Sequence, residues 1–332
     1  MKTLLKTLTQ IPAPSGREDE LRAAVQKMIQ PYADEVRVDA LGNLIARKGK
    51  KAKDGKRIML AAHMDEIGII VSHVDTNGFT RFSTLGGFAP HRRVGTRVKF
   101  LNGAVGVIGL ERDAEQKDRA PSLDKYFVDM GVTSQKDSPV KVGDTAVYDS
   151  TFIDLGDRVV SKCLDDRVGV ALLVESLRNF KSSVNEVWYV FTVQEEIGGR
   201  GAGPASYGID PDVGLAVDVT IANDLPNTRE RNLIALGGGP AIKVKDSGVI
   251  ADPRIVDVMT RLAEKNRIPH QFELVETIGT DARMIQITGL GAQAGGLAIP
   301  LRNLHLPSEM IDIVDVKNAG RLLAAFLRST DL

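Results

Sequence analysis

The sequence predicts an α/β fold in which a mainly parallel sheet is interrupted by a small inserted β domain. Two observations carry this. Apolar strand-like runs alternate with helical stretches up to residue 67 and again after residue 160. Between them, short β-type stretches are separated by Gly, Pro, Asp and Asn, with little helical periodicity. The expected organisation is a discontinuous α/β domain over 1–67 and 161–332, and a β-rich insertion over 68–160.

Taken in order, residues 3–10 have the spacing of a short helix, and Ser15 with Glu18 makes a capping-box pattern that would open a second helix over DELRAAVQKMIQPYA. DEVRVDALGNLIARKG reads as two short strands about the Gly42-Asn43 turn, and KRIMLAAHMDEIGIIVS as a buried strand carrying His63 near its end. FTRFSTLG, TRVKFL, AVGVIGL, YFVDMGV, TAVYDS and RVVS are the strands expected in the insertion. A helix (DDRVGVALLVESLRNF), a strand (EVWYVFTV), a Gly-rich loop (IGGRGAG) and a strand (DVGLAVDV) follow. A helix opened by Asp252-Pro253, a strand (HQFELVE) and a last helix from about Val314 complete the chain.

At 332 residues, with 43% hydrophobic and 26% charged residues, the chain is long enough for two domains and a large core. Lys plus Arg and Asp plus Glu both number 43, so net charge offers no attraction to nucleic acid or an anionic membrane. No apolar run reaches the length of a membrane span, and MKTLLKTLTQIPAPSG lacks the apolar core and cleavage site of an export signal, so a cytoplasmic location is expected. The lone Cys163 has neither a disulfide partner nor a CxxC neighbour and reads as a buried bystander. Lys50 to Lys56 reads as a solvated turn.

The chemistry-bearing residues stand at the ends of apolar runs: His63-Met64-Asp65, Asp165-Asp166, Glu195-Glu196, Asp218 and His305. In open α/β sheets functional groups gather outside the carboxyl ends of the strands. Singly, most of these have a plain structural explanation. His63 with Asp65 suits a hydrogen-bonded core histidine, and Asp165-Asp166 suits acids that complement a helix dipole. Glu195-Glu196 resists such an account, because adjacent carboxylates at a buried strand end need a partner. One of them can bind metal while its neighbour takes a proton from water. The conjunction of His, Asp, Glu, Asp and His suits two divalent ions about 3.5 to 4 Å apart, one Asp bridging.

The strings AAHMDEIG, KCLDDRVG, TVQEEIGGRGA, AVDVT, GTDA and IPLRNLHLPSEMID resemble those of the TET-type aminopeptidases, metallopeptidase family forty-two, some of which bear the names glutamyl aminopeptidase or endoglucanase. The resemblance runs from IPAPSGRE to the final helix. It implies a di-metal exopeptidase domain with His63, Asp165 and Asp218 on one ion and Asp165, Glu196 and His305 on the other. Asp165, as the first acid of its pair, would bridge. Glu195 would be the general base and Asp65 the orienter of His63. Two zinc or cobalt ions, or manganese, would be the cofactors, short peptides the substrates, and the insertion would build dimers into a tetrahedral dodecamer facing an inner chamber. Thr280-Asp281 would lie near the substrate pocket. Gly199 and Leu306 depart from the residues relatives often carry there, Leu and Ser, without removing a ligand. His73, His91 and His270 match no ligand position, and His91 with Arg92 and Arg93 fits an oligomer contact.

Three rivals are weaker. A metal-dependent deacylase or carboxypeptidase with the same ligands would need a cationic clamp, and the sequence identifies none. A glycosidase built on Glu195 and Glu196 fails because adjacent strand residues face opposite ways and cannot flank a sugar bond. A non-catalytic scaffold would have no need of intact ligand and base positions.

Overall fold

The computed structural model describes residues 1–112, 121–228 and 233–332. Two helices, α1 (Lys2–Thr9) and α2 (Asp19–Ile29), lead into β1 (Glu35–Val38), β2 (Leu44–Lys48) and β3 (Arg57–His63). Six strands then close into an antiparallel barrel: β4 (Gly68–Val74), β5 (Thr80–Leu85), β6 (Arg97–Phe100), β7 (Val105–Leu110), β8 (Tyr126–Asp129) and β9 (Thr145–Tyr148). The barrel has its own core, with Ile69, Val98, Phe100, Ile108, Tyr126 and Val128 almost wholly buried. The chain then returns to the large sheet through β10 (Ile153–Asp154) and β11 (Arg158–Ser161).

From there α3 (Leu164–Asn179), β12 (Glu186–Thr192), α4 (Ala202–Ile209), β13 (Val213–Ile221) and β14 (Ala241–Lys245) follow. The chain ends with α5 (Pro253–Lys265), β15 (Gln271–Leu274), α6 (Ala282–Ile287), β16 (Gln293–Arg302), β17 (Glu309–Asp312) and α7 (Ile313–Leu327). The large sheet runs β1-β2-β12-β3-β13-β16-β17-β11-β10, with β14 and β15 branching from β16. Its centre, β12-β3-β13-β16, is parallel, while the β2-β12 and β16-β17 pairings are antiparallel.

Side chains alternate between two apolar layers, as period-two geometry requires. Ile58, Leu60 and Ala62 of β3 face the layer of α1, α2, α3, α5 and α7, while Met59 and Ala61 face that of α4 and α6. Helices thus cover both faces of the sheet centre, the arrangement that parallel strands demand.

Three expectations are corrected. KRIMLAAHMDEIGIIVS is not one strand but two, β3 of the large sheet stopping at His63 and β4 of the barrel starting at Gly68. RVVS, grouped by its pattern with the insertion, is β11, antiparallel to β17 in the large sheet, and Val159 is buried in that sheet's core. The Ser15–Glu18 capping box does not form, and α2 stops at Ile29. The Ser15 hydroxyl donates to Asp65 (2.6 Å), and Glu18 Oε1 accepts from the backbone N–H groups of Gly16 and Gln194. Both side chains find partners distant in sequence that outcompete the local cap. Glu66, between β3 and β4, makes a comparable long-range contact, because its buried carboxylate accepts from Lys162, Arg167 and the Ala13 amide and so pins the N-terminal loop to α3.

Candidate metal centre

Strand register assembles the centre. His63 ends β3 opposite Thr192 of β12, and on its other side Ala61 pairs with Ala216, which puts Asp218 level with His63. Glu195 and Glu196 follow three and four residues after the end of β12. At the start of α3, Asp165 is extended rather than helical (φ −77°, ψ 110°), and the Asp165-Asp166 peptide is cis.

Asp165 stands between the two imidazoles. Its Oδ1 lies 2.9 Å from His63 Nε2 and its Oδ2 3.1 Å from His305 Nε2. His305 Nε2 is also 3.2 Å from Glu196 Oε1, and His63 Nε2 is 3.9 Å from Asp218 Oδ1. Asp166 accepts from the Gly169 and His63 amides (2.9 and 3.3 Å) and faces neither imidazole as Asp165 does. Two trios bring ligand atoms within 4.8 Å of one another: His63, Asp165 and Glu196, and His63, Asp166 and Asp218. Both acids of the pair therefore border the centre, but only Asp165 faces both histidines. His73 and His270 stand apart, bonded to Ser72 and to the Ile268 carbonyl.

Without a cation this cluster is electrostatically crowded. Burial, then the neighbouring Asp218, pushes the Asp166 carboxyl well above its ordinary range. Burial also raises Glu195, Glu196 and Asp218, the last to about 8. Burial opposes the charged form of Asp165 too, yet hydrogen bonds to His305 and His63 hold its carboxyl well below the usual range. His305 loses from burial and gains more from Glu196 and Asp165, rising to about 11. Imidazole nitrogens and carboxylate oxygens converging in a buried, proton-hungry cluster suit a borderline divalent cation.

Other residues hold these candidate ligands in place. The Asp65 main-chain carbonyl takes the His63 Nδ1 contact (3.0 Å), with the carboxylate 3.5 Å away. That carboxylate accepts from Ser15 and from the amides of Glu195 and Glu196. Glu309, buried on β17, accepts from the amides of Asp165 (3.1 Å) and His305 (2.8 Å). Arg93 turns inward rather than standing with His91 and Arg92 at the surface. It is buried and donates to the Tyr148 hydroxyl and to the His305 carbonyl. Gly87 fits against His305 so closely that a β-carbon there would lie 2.4 Å from the imidazole Nδ1. Sequence reasoning missed Glu309, Arg93 and Tyr148. The one available signal was Glu309 four residues after His305, inside a quoted string.

A cavity of about 340 Å³ opens over the centre, lined by His63, Asp165, Glu195, Glu196, Asp218 and His305 on one side and by Thr277, Ile278, Gly279 and Arg283 on the other. Asp281 lies beneath, bonded through Oδ2 to Thr192 (2.6 Å), and burial raises it to about 6.

The family model described as M42 glutamyl aminopeptidase matches residues 42–322, a span containing every candidate ligand named above. The chain belongs to the M42 metallopeptidase family. It is an aminopeptidase of that family. Among M42 relatives, the lysyl aminopeptidase of Pyrococcus furiosus is 35% identical over 339 residues, covering 98% of this chain and 96% of its own. The aminopeptidase APDkam598 of Desulfurococcus kamchatkensis superposes with a TM-score of 0.93 at 38% identity, covering 98% of this chain and 94% of its own. The Pyrococcus horikoshii TET1 peptidase, which can assemble into a tetrahedron or a large octahedral shell, superposes with a TM-score of 0.86 at 31% identity over 98% of each chain. This M42 chain thus shares its overall fold with a peptidase that can assemble into such shells. No helix among its described residues is long and apolar enough to cross a membrane.

Proposed function

We propose that this chain removes the N-terminal residue of short peptides at a centre for two divalent ions, with Glu195 as general base. The observation that carries the reading is Asp165, whose two carboxylate oxygens each face a different imidazole. Such a carboxylate is placed to bridge. His63, Asp165 and Asp218 would hold one ion and Asp165, Glu196 and His305 the other. Zinc or cobalt suits this donor set best, and manganese is also compatible. Bound there, the ions would polarise the scissile carbonyl and acidify water.

Glu195 carries the proton. Burial and nearby Asp281, Asp218 and Glu196 raise its carboxyl, the direction a base needs to accept a proton near neutral pH and return it to the leaving amine. Its carbonyl accepts from the Gly198 and Gly199 amides (2.8 Å each), and Asp65 holds its own amide, so its backbone is fixed at both ends. Asp65 orients His63 chiefly through its carbonyl. Self-association through the β-barrel into a dodecamer, as the relative PhTET1 forms, and a cytoplasmic location complete the proposal.

The test is Glu195→Gln. Release of amino acids from peptides should fall by about 10²- to 10⁴-fold while bound metal is retained. Turnover at the wild-type rate would remove Glu195 as base. Blocking the peptide amine should abolish hydrolysis, and turnover of N-acylated peptides would favour the deacylase reading instead.

A further inference from the structure

Among the described residues, the cavity wall opposite the candidate metal centre contains one cation that the mechanism does not use. Arg283, on α6, lines the cavity, is half-buried, and makes no ion pair and no side-chain hydrogen bond among the described residues. Its Nε is buried without a partner. The nearest acid in sequence, Asp281, forms no ion pair with it: Thr192 donates to Oδ2 and Oδ1 is left without a partner, so the guanidinium acts on that carboxylate only as a nearby charge. An unsatisfied guanidinium in a pocket is costly unless something arrives to pair with it.

The side chain is also seated rather than loose. Gly248 lies against its stem, where a β-carbon would come within 2.9 Å of Cδ. Gly199, at φ +67°, lies under the guanidinium, where a β-carbon would sit 3.4 Å from Nη2, and one on Gly279 would sit 3.7 Å from Nη1. Absent side chains at these flanks leave the planar fork room to present its donors to the cavity. Ile278 and Val219 give the same cavity apolar wall.

We propose that Arg283 receives a carboxylate of the substrate, that of an acidic N-terminal residue, and so makes this enzyme select Glu or Asp at the residue it removes. This rests on the aminopeptidase reading. With the free amine and scissile bond at the metal centre, the first side chain is the part of the substrate that faces the remaining wall. A carboxylate there meets the guanidinium through two parallel hydrogen bonds, while a lysine would meet like charge. Family membership leaves this open, since the M42 description reads glutamyl and the P. furiosus relative is a lysyl enzyme.

The experiment compares Glu- and Gln-p-nitroanilide, which are nearly isosteric and lack a C-terminal carboxylate, on wild type and Arg283→Met. Wild type should favour Glu in kcat/KM by about ten- to a hundred-fold, and the variant should bring the ratio close to one. Calorimetric binding of free glutamate against glutamine to the metal-loaded enzyme should show the same preference and the same loss, and it reads Arg283 whether or not any substrate turns over. Arg283→Glu should favour Lys-p-nitroanilide over Glu. Metal content and thermal unfolding confirm that each variant folds. A Glu:Gln ratio near one in wild type, or one that Arg283→Met leaves unchanged, overturns the proposal. So does a preference for Gln-Gly over its amide that vanishes in Arg283→Met while the anilides show none, because the carboxylate bound is then the peptide's C-terminus. Failure to release any residue from Glu, Leu, Lys or Ala anilides would instead sink the aminopeptidase reading, with glutamate binding still deciding on Arg283.

Discussion

The Asp65 carboxylate accepts a hydrogen bond from the backbone N–H of Glu195 at 2.9 Å, across 130 residues of sequence. The same group accepts from Glu196 at 3.1 Å and from Ser15 at 2.6 Å. An acid beside a proposed metal-ligating histidine thus fixes the backbone of the proposed base and of a proposed ligand together. Asp65→Asn leaves one acceptor oxygen for these donors and turns an NH₂ towards another N–H. Unfolding free energy should fall by about 1–3 kcal/mol, and kcat by roughly 10²-fold through misplacement of Glu195. Denaturant titration and steady-state kinetics check this, and wild-type kcat in a folded Asp65→Asn enzyme would refute it.

Glu309 supports two proposed ligands at once, through the amides of Asp165 and His305. Glu309→Gln should weaken divalent-ion affinity by about 10- to 100-fold, the usual range for partners that orient ligands. Competition with a chelator of known affinity measures it. Unaltered affinity would show that the two ligands are held by their own loops.

Loading with metal should release protons at pH 7. The His305 imidazole, raised to about 11 in the metal-free protein, is protonated there, and the Asp218 carboxyl, raised to about 8, is largely protonated as well. Metal ligands must be deprotonated, so affinity should fall as pH falls. Calorimetric enthalpies of zinc binding in buffers of different ionisation enthalpy give the number released. A buffer-independent enthalpy contradicts the expectation.

Glu18 should make the protein less stable as pH rises. Burial first, and then Asp65, raise its carboxyl from 4.5 to about 7 in the folded state. The folded state therefore binds this proton more tightly than the unfolded chain. The contribution is complete below about 4.5 and is lost as pH passes through about 7. Glu18→Gln keeps the acceptor for the Gly16 and Gln194 amides. It should be more stable than wild type at pH 8 by about 1–3 kcal/mol, with the difference vanishing near pH 4.5. Urea unfolding at the two pH values decides, and a pH-independent difference would rule Glu18 out.

Much of the fold, and the acids and histidines that gather at the candidate centre, were legible because they rest on local pattern. Period-two apolar runs mark β3, β12 and β13, and helical spacing marks α3 and α5. His63 sits where a buried run stops, and Glu195 and Glu196 follow another, so polar groups at those places draw attention by their cost alone. Ser15 misled because a capping box is a local motif, and its hydroxyl has a better partner in Asp65, fifty residues on. RVVS misled because a short β run carries no mark of which sheet it joins.

By itself the sequence determined the α/β alternation, the β-rich interruption and the residue types able to bind metal, all properties of side-chain identity and short-range spacing. Only the tertiary structure decided that Asp165, not Asp166, faces both imidazoles, that Arg93 turns in to His305 from the barrel, that Glu309 holds the amides of Asp165 and His305, and that Arg283 stands across the cavity with no ion pair among the described residues. These depend on which distant segments the sheet register and the closed barrel bring within hydrogen-bond reach, and direction in space is not written in the spacing of any one segment.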